Sequence, residues 1–267
     1  MAGVSGGTDS LALLVLAAAA GLDVTAVHVD HGLRPGSADE ADVVSAAAAA
    51  HGARFSAVRV ELAAGPNLEA RARDARRAAL GPGAMTGHTA DDVAETVVLN
   101  LVRGAGLDGL AGIRPGPTKP LLALRRSDTG AVCAAAGLVP VEDPSNTDPA
   151  HRRNRVRHEV LPLLDGVAER DVAGLLARTA ALVGDDAALL DELAAALDPT
   201  DAAALATAPA PLARRAVRQW LVAADPPYPP DAATVERVLA VARGQHRATE
   251  VGGRRRVART AGRLRLE

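Results

Sequence analysis

Apolar positions over the first 140 residues fall into alternating blocks of two kinds. The longer blocks, residues 11–20, 38–51, 67–80 and one opening near residue 90, are apolar at helical spacing or, like LALLVLAAAA, apolar all round. The shorter blocks, residues 2–4, 24–29, 55–61 and 84–86, are brief runs, mostly with β-branched residues, that read as buried strands. Gly21 and Gly52 stop the first two helices, Ser37 and Glu40 form a capping box ahead of the second, and Asn67 caps the third. Strand and helix thus alternate at βαβ spacing, which predicts an α/β fold with a doubly wound parallel sheet. LDGLAGI is expected as a short helical turn, PLLAL (residues 120–124) as a last strand, and Ser127 as the cap of a helix over residues 128–136.

Beyond Asp165 the pattern turns helical, over residues 171–197, 201–224 with interruptions at Pro209 and Pro211, and 231–243. Pro226, Pro227, Pro229 and Pro230 form a rigid connector, and the segment from Thr249 alternates like a small hairpin. A boundary near Gly166 is expected to divide an α/β domain, residues 1–165, from a smaller, mainly helical domain, residues 166–267.

In a doubly wound sheet ligands sit outside the carboxyl ends of the strands, and three polar loops begin there. SGGTDS, residues 5–10, feeds a Gly-Gly turn into a helix, so backbone N–H groups and the positive helix end surround one small volume suited to phosphate. It lacks the lysine of a Walker loop. HVDHGLRPGS, with His28, Asp30 and His31, follows the second strand, and GHTADDVAET follows the fourth. On the helix that GHTADDVAET opens, Asp92 and Glu95 share a face, with His88 just ahead of the first turn. First-turn carboxylates are ordinarily dipole partners, and Asp91 fits that role. Asp92 and Glu95 beside an imidazole fit a cationic ligand, a primary amine held by two carboxylates that passes its proton to the imidazole or a carboxylate.

Arginines form two groups. Arg71, Arg73, Arg76 and Arg77 lie on the third helix, an amphipathic surface from which one guanidinium could clamp a phosphate. Arg152, Arg153, Arg155 and Arg157 crowd a helix start within EDPSNTDPAHRRNRVRHEVLPLL, against the helix dipole, so they are expected to face an anion, either a nucleotide or an RNA backbone.

The net charge of −2 hides an asymmetry: eight arginines and two glutamates give residues 243–267 a charge of +6, suited to a polyanion. Lys119 is the only lysine, which with the alanine richness reads as compositional bias. One cysteine, Cys133, excludes a disulfide framework, a CxxC pair and a cysteine zinc site. No apolar run reaches membrane-spanning length and nothing resembles a signal peptide, so a cytoplasmic protein without a membrane partner is expected.

SGGTDS, HVDHGLRPGS, GHTADDVAET with the following RGAGLDGLAGI, and EDPSNTDPAHRRNRVRHEVLPLL resemble, in order, the motifs of the tRNA(Ile)-lysidine synthetases, PP-loop ATP pyrophosphatases with a Rossmann-like domain. The resemblance covers residues 1 to about 165 well and the remainder weakly. It implies a ligase that adenylates O2 of the wobble cytidine of tRNA(Ile) bearing a CAU anticodon. The ε-amine of free L-lysine then attacks C2 and expels AMP, leaving lysidine. ATP and Mg2+ are the implied cofactors. Ser5, Gly6, Gly7, Thr8, Asp9 and Ser10 would cradle the pyrophosphate portion, Asp9 would hold the metal, and residues from His28 through Asp30 to His31 would edge adenine and ribose. His88, Asp92 and Glu95 would bind and deprotonate lysine, and Arg73 and Arg155 would contact the α-phosphate or the adenylated intermediate. The helical domain and basic tail would carry the tRNA, with little aromatic stacking from one Phe, one Tyr and one Trp. A homodimer is compatible with this reading.

The family usually has a longer lead before the glycine turn, so the first strand is expected to be poorly anchored, and the additional C-terminal domain of longer members is missing from this sequence. Arg77 stands where the family often has an aromatic residue. The rivals are a PP-loop tRNA thiolase, disfavoured by the single cysteine, an ammonia-dependent amide-forming relative, and a tRNA- or nucleotide-binding protein without turnover.

Overall fold

The computed structural model describes residues 1–30, 32, 37–60, 68–141, 143–224 and 230–267. It divides into two compact units, Met1–Gly184 and Asp185–Glu267.

In the first unit four short strands, β1 (Ala2–Gly3), β2 (Thr25–Asp30), β3 (Arg54–Arg59) and β4 (Met85–Thr86), form a parallel sheet in the order β3-β2-β1-β4. Helices α1 (Thr8–Ala19), α2 (Ser37–Ala50) and α3 (Leu68–Leu80) make the crossovers. Ala26 packs with α1 and α2, whereas its neighbour Val27 packs with Leu80 at the end of α3, so helices cover both faces as expected of a doubly wound sheet. The core on the α1 side is built from small and branched residues, among them Leu11, Leu13, Leu14, Val44 and Cys133. This apolar surround explains why LALLVLAAAA shows almost no polar face.

Strand order reverses at β1: β2 and β3 lie to one side and β4 to the other. The carboxyl ends of β1 and β4 therefore flank the switch point of the sheet, where the fold leaves a crevice for ligands. Brief as it is, β1 is anchored on both sides. It pairs with β2 and β4, the N–H of Val4 donates to the carbonyl of Val27 (2.9 Å), and that of Met85 donates to the carbonyl of Met1 (2.9 Å).

After α4 (Ala90–Val102) and the single turn α5 (Leu107–Leu110), PLLAL does not form the expected strand. Pro120 has no ladder donor, and successive turns, from the N–H of Lys119 to Gly116 and of Leu124 to Leu121, bind the backbone locally. Helix α6 (Arg126–Ala135) starts before Ser127, which is not its cap: Asp128 reaches back to the N–H of Arg125 at 2.7 Å. The arginine-rich stretch forms α7 (Arg152–Arg155), a π-helical turn over Val156–Val160, and α8 (Leu161–Ala168). Pro162, with no N–H for the carbonyl four residues back, accounts for the widened turn.

The first compact unit continues past the boundary expected near Gly166 to Gly184, because the first half of α9 (Val172–Ala195) packs on α4 through Leu176, Ala177 and Ala180. In the second unit α10 (Ala202–Thr207), α11 (Ala210–Ala224) and α12 (Ala232–Ala242) bury Leu205, Val217, Leu221, Val238 and Leu239. The final segment is more than a hairpin. β5 (Ala248–Gly252), β6 (Arg255–Thr260) and β7 (Arg263–Leu266) form a three-stranded antiparallel sheet seated on that core through Val257 and Leu264. The predicted capping by Ser37 and Asn67, and Pro226, Pro227 and Pro229, lie outside the described residues or side chains. Among the described residues no helix is long and apolar enough to cross a membrane.

Candidate functional site

The glycine turn is built as a cradle. Gly6 takes φ +85°, which favours glycine, and its carbonyl accepts from the N–H of Val141 at 2.9 Å. The N–H of Ser5 donates to Ser10 Oγ (3.1 Å), and Ser10 Oγ donates to the carbonyl of Gly7 (2.8 Å), closing the loop on itself. Gly7 begins α1 without a side-chain cap, so the first N–H groups of a buried helix face the turn. His28 is buried on β2 beside this turn, with Nδ1 3.1 Å from the carbonyl of Val4 and Nε2 without a partner. An orphaned buried ring nitrogen, a self-locked glycine turn and an uncapped helix start fit a nucleotide's phosphates and base. Asp30 accepts from the N–H of Gly32 at 2.8 Å, and His31 lies outside the described residues.

The loop after β4 is pressed against the same helix. A Cβ on Gly87 would stand 2.5 Å from the carbonyl oxygen of Asp9, so only glycine permits this approach. Two residues on, Thr89 caps α4. Asp92 Oδ2 accepts from the N–H of Thr89 (2.9 Å) and from its hydroxyl (3.2 Å), while Oδ1 faces the Arg126 guanidinium at 3.5 Å. Asp92 is thus a cap through one oxygen and a site group through the other. Asp91 holds α6 in place, accepting from the N–H of Arg126 (2.8 Å) and the guanidinium of Arg125, which also pairs with Asp171.

Helix α6 brings the two halves together. Arg126 reaches Asp9 (3.4 Å), Asp92 (3.5 Å) and Glu95 (3.3 Å), and Thr129, one turn on, donates to Asp9 at 2.5 Å. The glycine turn and the acidic pair, about ninety residues apart in sequence, therefore meet on one guanidinium. Burial pushes the Asp9 carboxyl up, against the opposing pull of Thr129 and Arg126.

Glu95 is fully buried, and Arg153 (2.8 Å) and Arg157 (2.7 Å) close on it from the arginine-rich helix. Arg155 does not join them. Residues 153 and 157 share a helix face, whereas Arg155 is turned outward to Glu159 at 3.0 Å. The anion that Arg153 and Arg157 meet is therefore a carboxylate of the protein itself.

His88 Nδ1 lies 2.8 Å from Thr86 Oγ1, which also accepts from Lys119 Nζ at 2.6 Å. Burial lowers the imidazole to about 4, against the pull of Asp92, so the ring is neutral at pH 7 and a weak base. Lys119 thus has a place in the site, contrary to its reading as compositional bias; burial and the nearby Arg77 and Arg73 lower its ammonium. Arg73 is exposed on α3, near enough for its charge to depress both Lys119 and His88.

Sequence reasoning missed Arg126, Thr129 and Lys119. The doublet RR after PLLAL was the available signal, but the strand reading of PLLAL hid it. Cys133 is buried, its Sγ 3.4 Å from the carbonyl of Thr8, and burial raises its thiol, an inert setting for sulfur chemistry. A mainly apolar cavity of about 360 Å³ lies between α4 and α9, lined by Val93, Ile113, Leu122 and Ala177, with Arg125 and Arg178 in its wall.

A family model described as the PP-loop domain matches residues 1–164. The tRNA(Ile)-lysidine synthase of Nocardia farcinica is 44% identical over 289 residues, covering 98% of this chain and 90% of that protein. Those of Rhodococcus jostii and Mycobacterium tuberculosis are each 42% identical, over 83% of this chain and 73% and 74% of their own lengths. Among solved structures, the U34-tRNA thiolase NcsA from Methanococcus maripaludis with its [4Fe-4S] cluster matches with a TM-score of 0.54 at 20% identity, covering 67% of this chain and 69% of that one, a likeness of fold alone. The match through the glycine turn, the acidic helix and the arginine-rich stretch, and through most of the remaining chain, makes this protein a member of the tRNA(Ile)-lysidine synthase family of PP-loop, ATP-using enzymes.

Proposed function

We propose that the protein attaches L-lysine to C2 of the wobble cytidine of tRNA(Ile) bearing a CAU anticodon. The cytidine O2 attacks the α-phosphorus of ATP, an O–P bond forms and pyrophosphate leaves. The lysine ε-nitrogen then bonds to C2, the C2–O2 bond breaks, and AMP departs with that oxygen. The observation that carries this reading is the Arg126 guanidinium shared by Asp9, Asp92 and Glu95, because it joins a phosphate cradle to a cation site.

In this reading Ser5, Gly6, Gly7, Thr8 and Ser10 hold the phosphates, with His28 and Asp30 toward base and ribose. Asp92 and the neutral His88 receive the ammonium, and the proton it gives up passes to one of them. Glu95, clamped by Arg153 and Arg157, ties α4 to the arginine-rich helix and contributes to the negative charge of the pocket. Arg73 and Lys119 face the nucleotide's negative charge from the β4 side. Asp9 is a part-exposed carboxylate that would hold Mg2+ beside the nucleotide phosphates; when bound, the metal would supply neutralisation of charge on the leaving pyrophosphate. In the second unit Arg243, Arg247, Arg254 and Arg265 are exposed around the small sheet and suit a tRNA backbone in a cytoplasmic setting.

The test is incubation with ATP, labelled L-lysine and tRNA(Ile) bearing CAU. Lysine-dependent AMP release with label in the tRNA is expected. AMP release without label, or label from a sulfur or ammonia donor instead, would overturn the proposal.

A further inference from the structure

Arg126 spreads one guanidinium over three carboxylates at 3.3–3.5 Å, without the 2.7–2.8 Å contacts that Arg157 and Arg153 make to Glu95. Each acid already has a closer partner: Asp9 has Thr129, Asp92 has Thr89, and Glu95 has its two arginines. The guanidinium is therefore the most loosely held cation of the cluster, while its own backbone N–H is pinned to Asp91 at 2.8 Å. Three carboxylates, Asp9, Asp92 and Glu95, balance three guanidiniums, Arg126, Arg153 and Arg157, and Lys119 adds a further positive charge beside His88. An added alkylammonium would leave a net positive charge in a partly dry site unless one guanidinium moved out or anionic phosphate moved in. Phosphate at the glycine turn would offer Arg126 a better partner, since guanidinium binds phosphate oxygens in pairs.

Resting on the ligase reading above, we propose that Arg126 is an internal stand-in for the substrate ammonium. It occupies Asp92 and Glu95 until nucleotide phosphates draw it across to the glycine turn, and lysine affinity is thereby tied to bound nucleotide. Arg126 acts as a positioning residue: it opens the acidic pair to lysine on one side as it engages phosphate on the other. Linkage requires that lysine strengthen nucleotide binding by the same factor.

The test is calorimetric titration of L-lysine into the full chain, alone and with Mg2+ and saturating α,β-methylene-ATP, for the wild type, Arg126→Met and Arg126→Lys. In the wild type the analogue is expected to tighten lysine binding by about tenfold or more. In Arg126→Met the two affinities should converge to within about twofold, with nucleotide-free binding strengthened, and Arg126→Lys should keep part of the coupling. Should Arg126→Met fail to fold, Arg126→Gln, which keeps a polar side chain at the buried site without the charge, carries the same comparison and should likewise lose the coupling. Lysine affinity indifferent to nucleotide in the wild type, or full coupling in Arg126→Met or Arg126→Gln, would overturn the stand-in role and leave the ligase reading intact. Lysine failing to bind the wild type in either state would overturn both.

Discussion

Replacing Gly87 by alanine puts a methyl group where α1 already is. The new Cβ would lie 2.5 Å from the carbonyl oxygen of Asp9, 2.7 Å from its carbonyl carbon and 3.0 Å from the nitrogen of Ser10. All three atoms are backbone, so no side-chain rotation relieves the clash; the end of β4 must part from α1 by about 0.5–1 Å. Overpacking of this kind costs about 1–3 kcal/mol. The strain falls on the distance between the glycine turn and the acidic helix, where a misplacement of about 1 Å lowers a rate on the order of 100-fold. Gly83 is the control, since a Cβ there meets nothing within 4 Å. Thermal melting and lysine-dependent AMP release measured on both variants decide the matter. Gly83→Ala should match the wild type, and Gly87→Ala should lose far more rate than stability. Equal behaviour of the two would refute the close approach as the feature that sets the pocket.

Three further outcomes follow from the same contacts. Glu95→Gln leaves Arg153, Arg157 and Arg126 without their shared carboxylate; discounted for the partial exposure of those arginines, the loss should be about 2–3 kcal/mol in chemical denaturation. Arg157→Ala should lower the melting temperature measurably, whereas Arg155→Ala, which removes only an exposed pair with Glu159, should not; calorimetry that ranks them the other way would contradict the assignment of faces. Because burial holds His88 near 4 rather than the 6.5 of an unfolded chain, its contribution is complete above pH 6.5 and is lost as pH falls toward 4. Urea titrations at pH 7.5 and 5.5 should therefore show a loss of about 1 kcal/mol in the wild type that is missing in His88→Gln.

Much of this was legible in the chain because the signals were local. The βαβ alternation, the SGGTDS turn and the spacing of His88, Asp92 and Glu95 each depend on residues within a few positions of one another, and the sheet places them at its switch point. Arg126 was hidden because its role exists only across 117 residues of separation, in the contact with Asp9. The family resemblance points to Arg155, and the arginine-rich pattern itself carries no phase; only the helical register separates 153 and 157 from 155. The PLLAL strand failed for a local reason that an apolar pattern masks, the missing donor of Pro120. The compact unit outruns residue 165 because α9 is one continuous helix whose two halves serve different cores, and composition alone cannot mark such a division.

The central claim is that phosphate and alkylammonium are bound in one pocket. A crystal structure of the full chain with α,β-methylene-ATP, Mg2+ and L-lysine tests it directly. The account predicts phosphates against residues 5–10 and the lysine ammonium within hydrogen-bonding reach of Asp92, with Arg126 turned from Asp92 toward the phosphates. Lysine bound away from α4, or nucleotide bound away from the glycine turn, would contradict it.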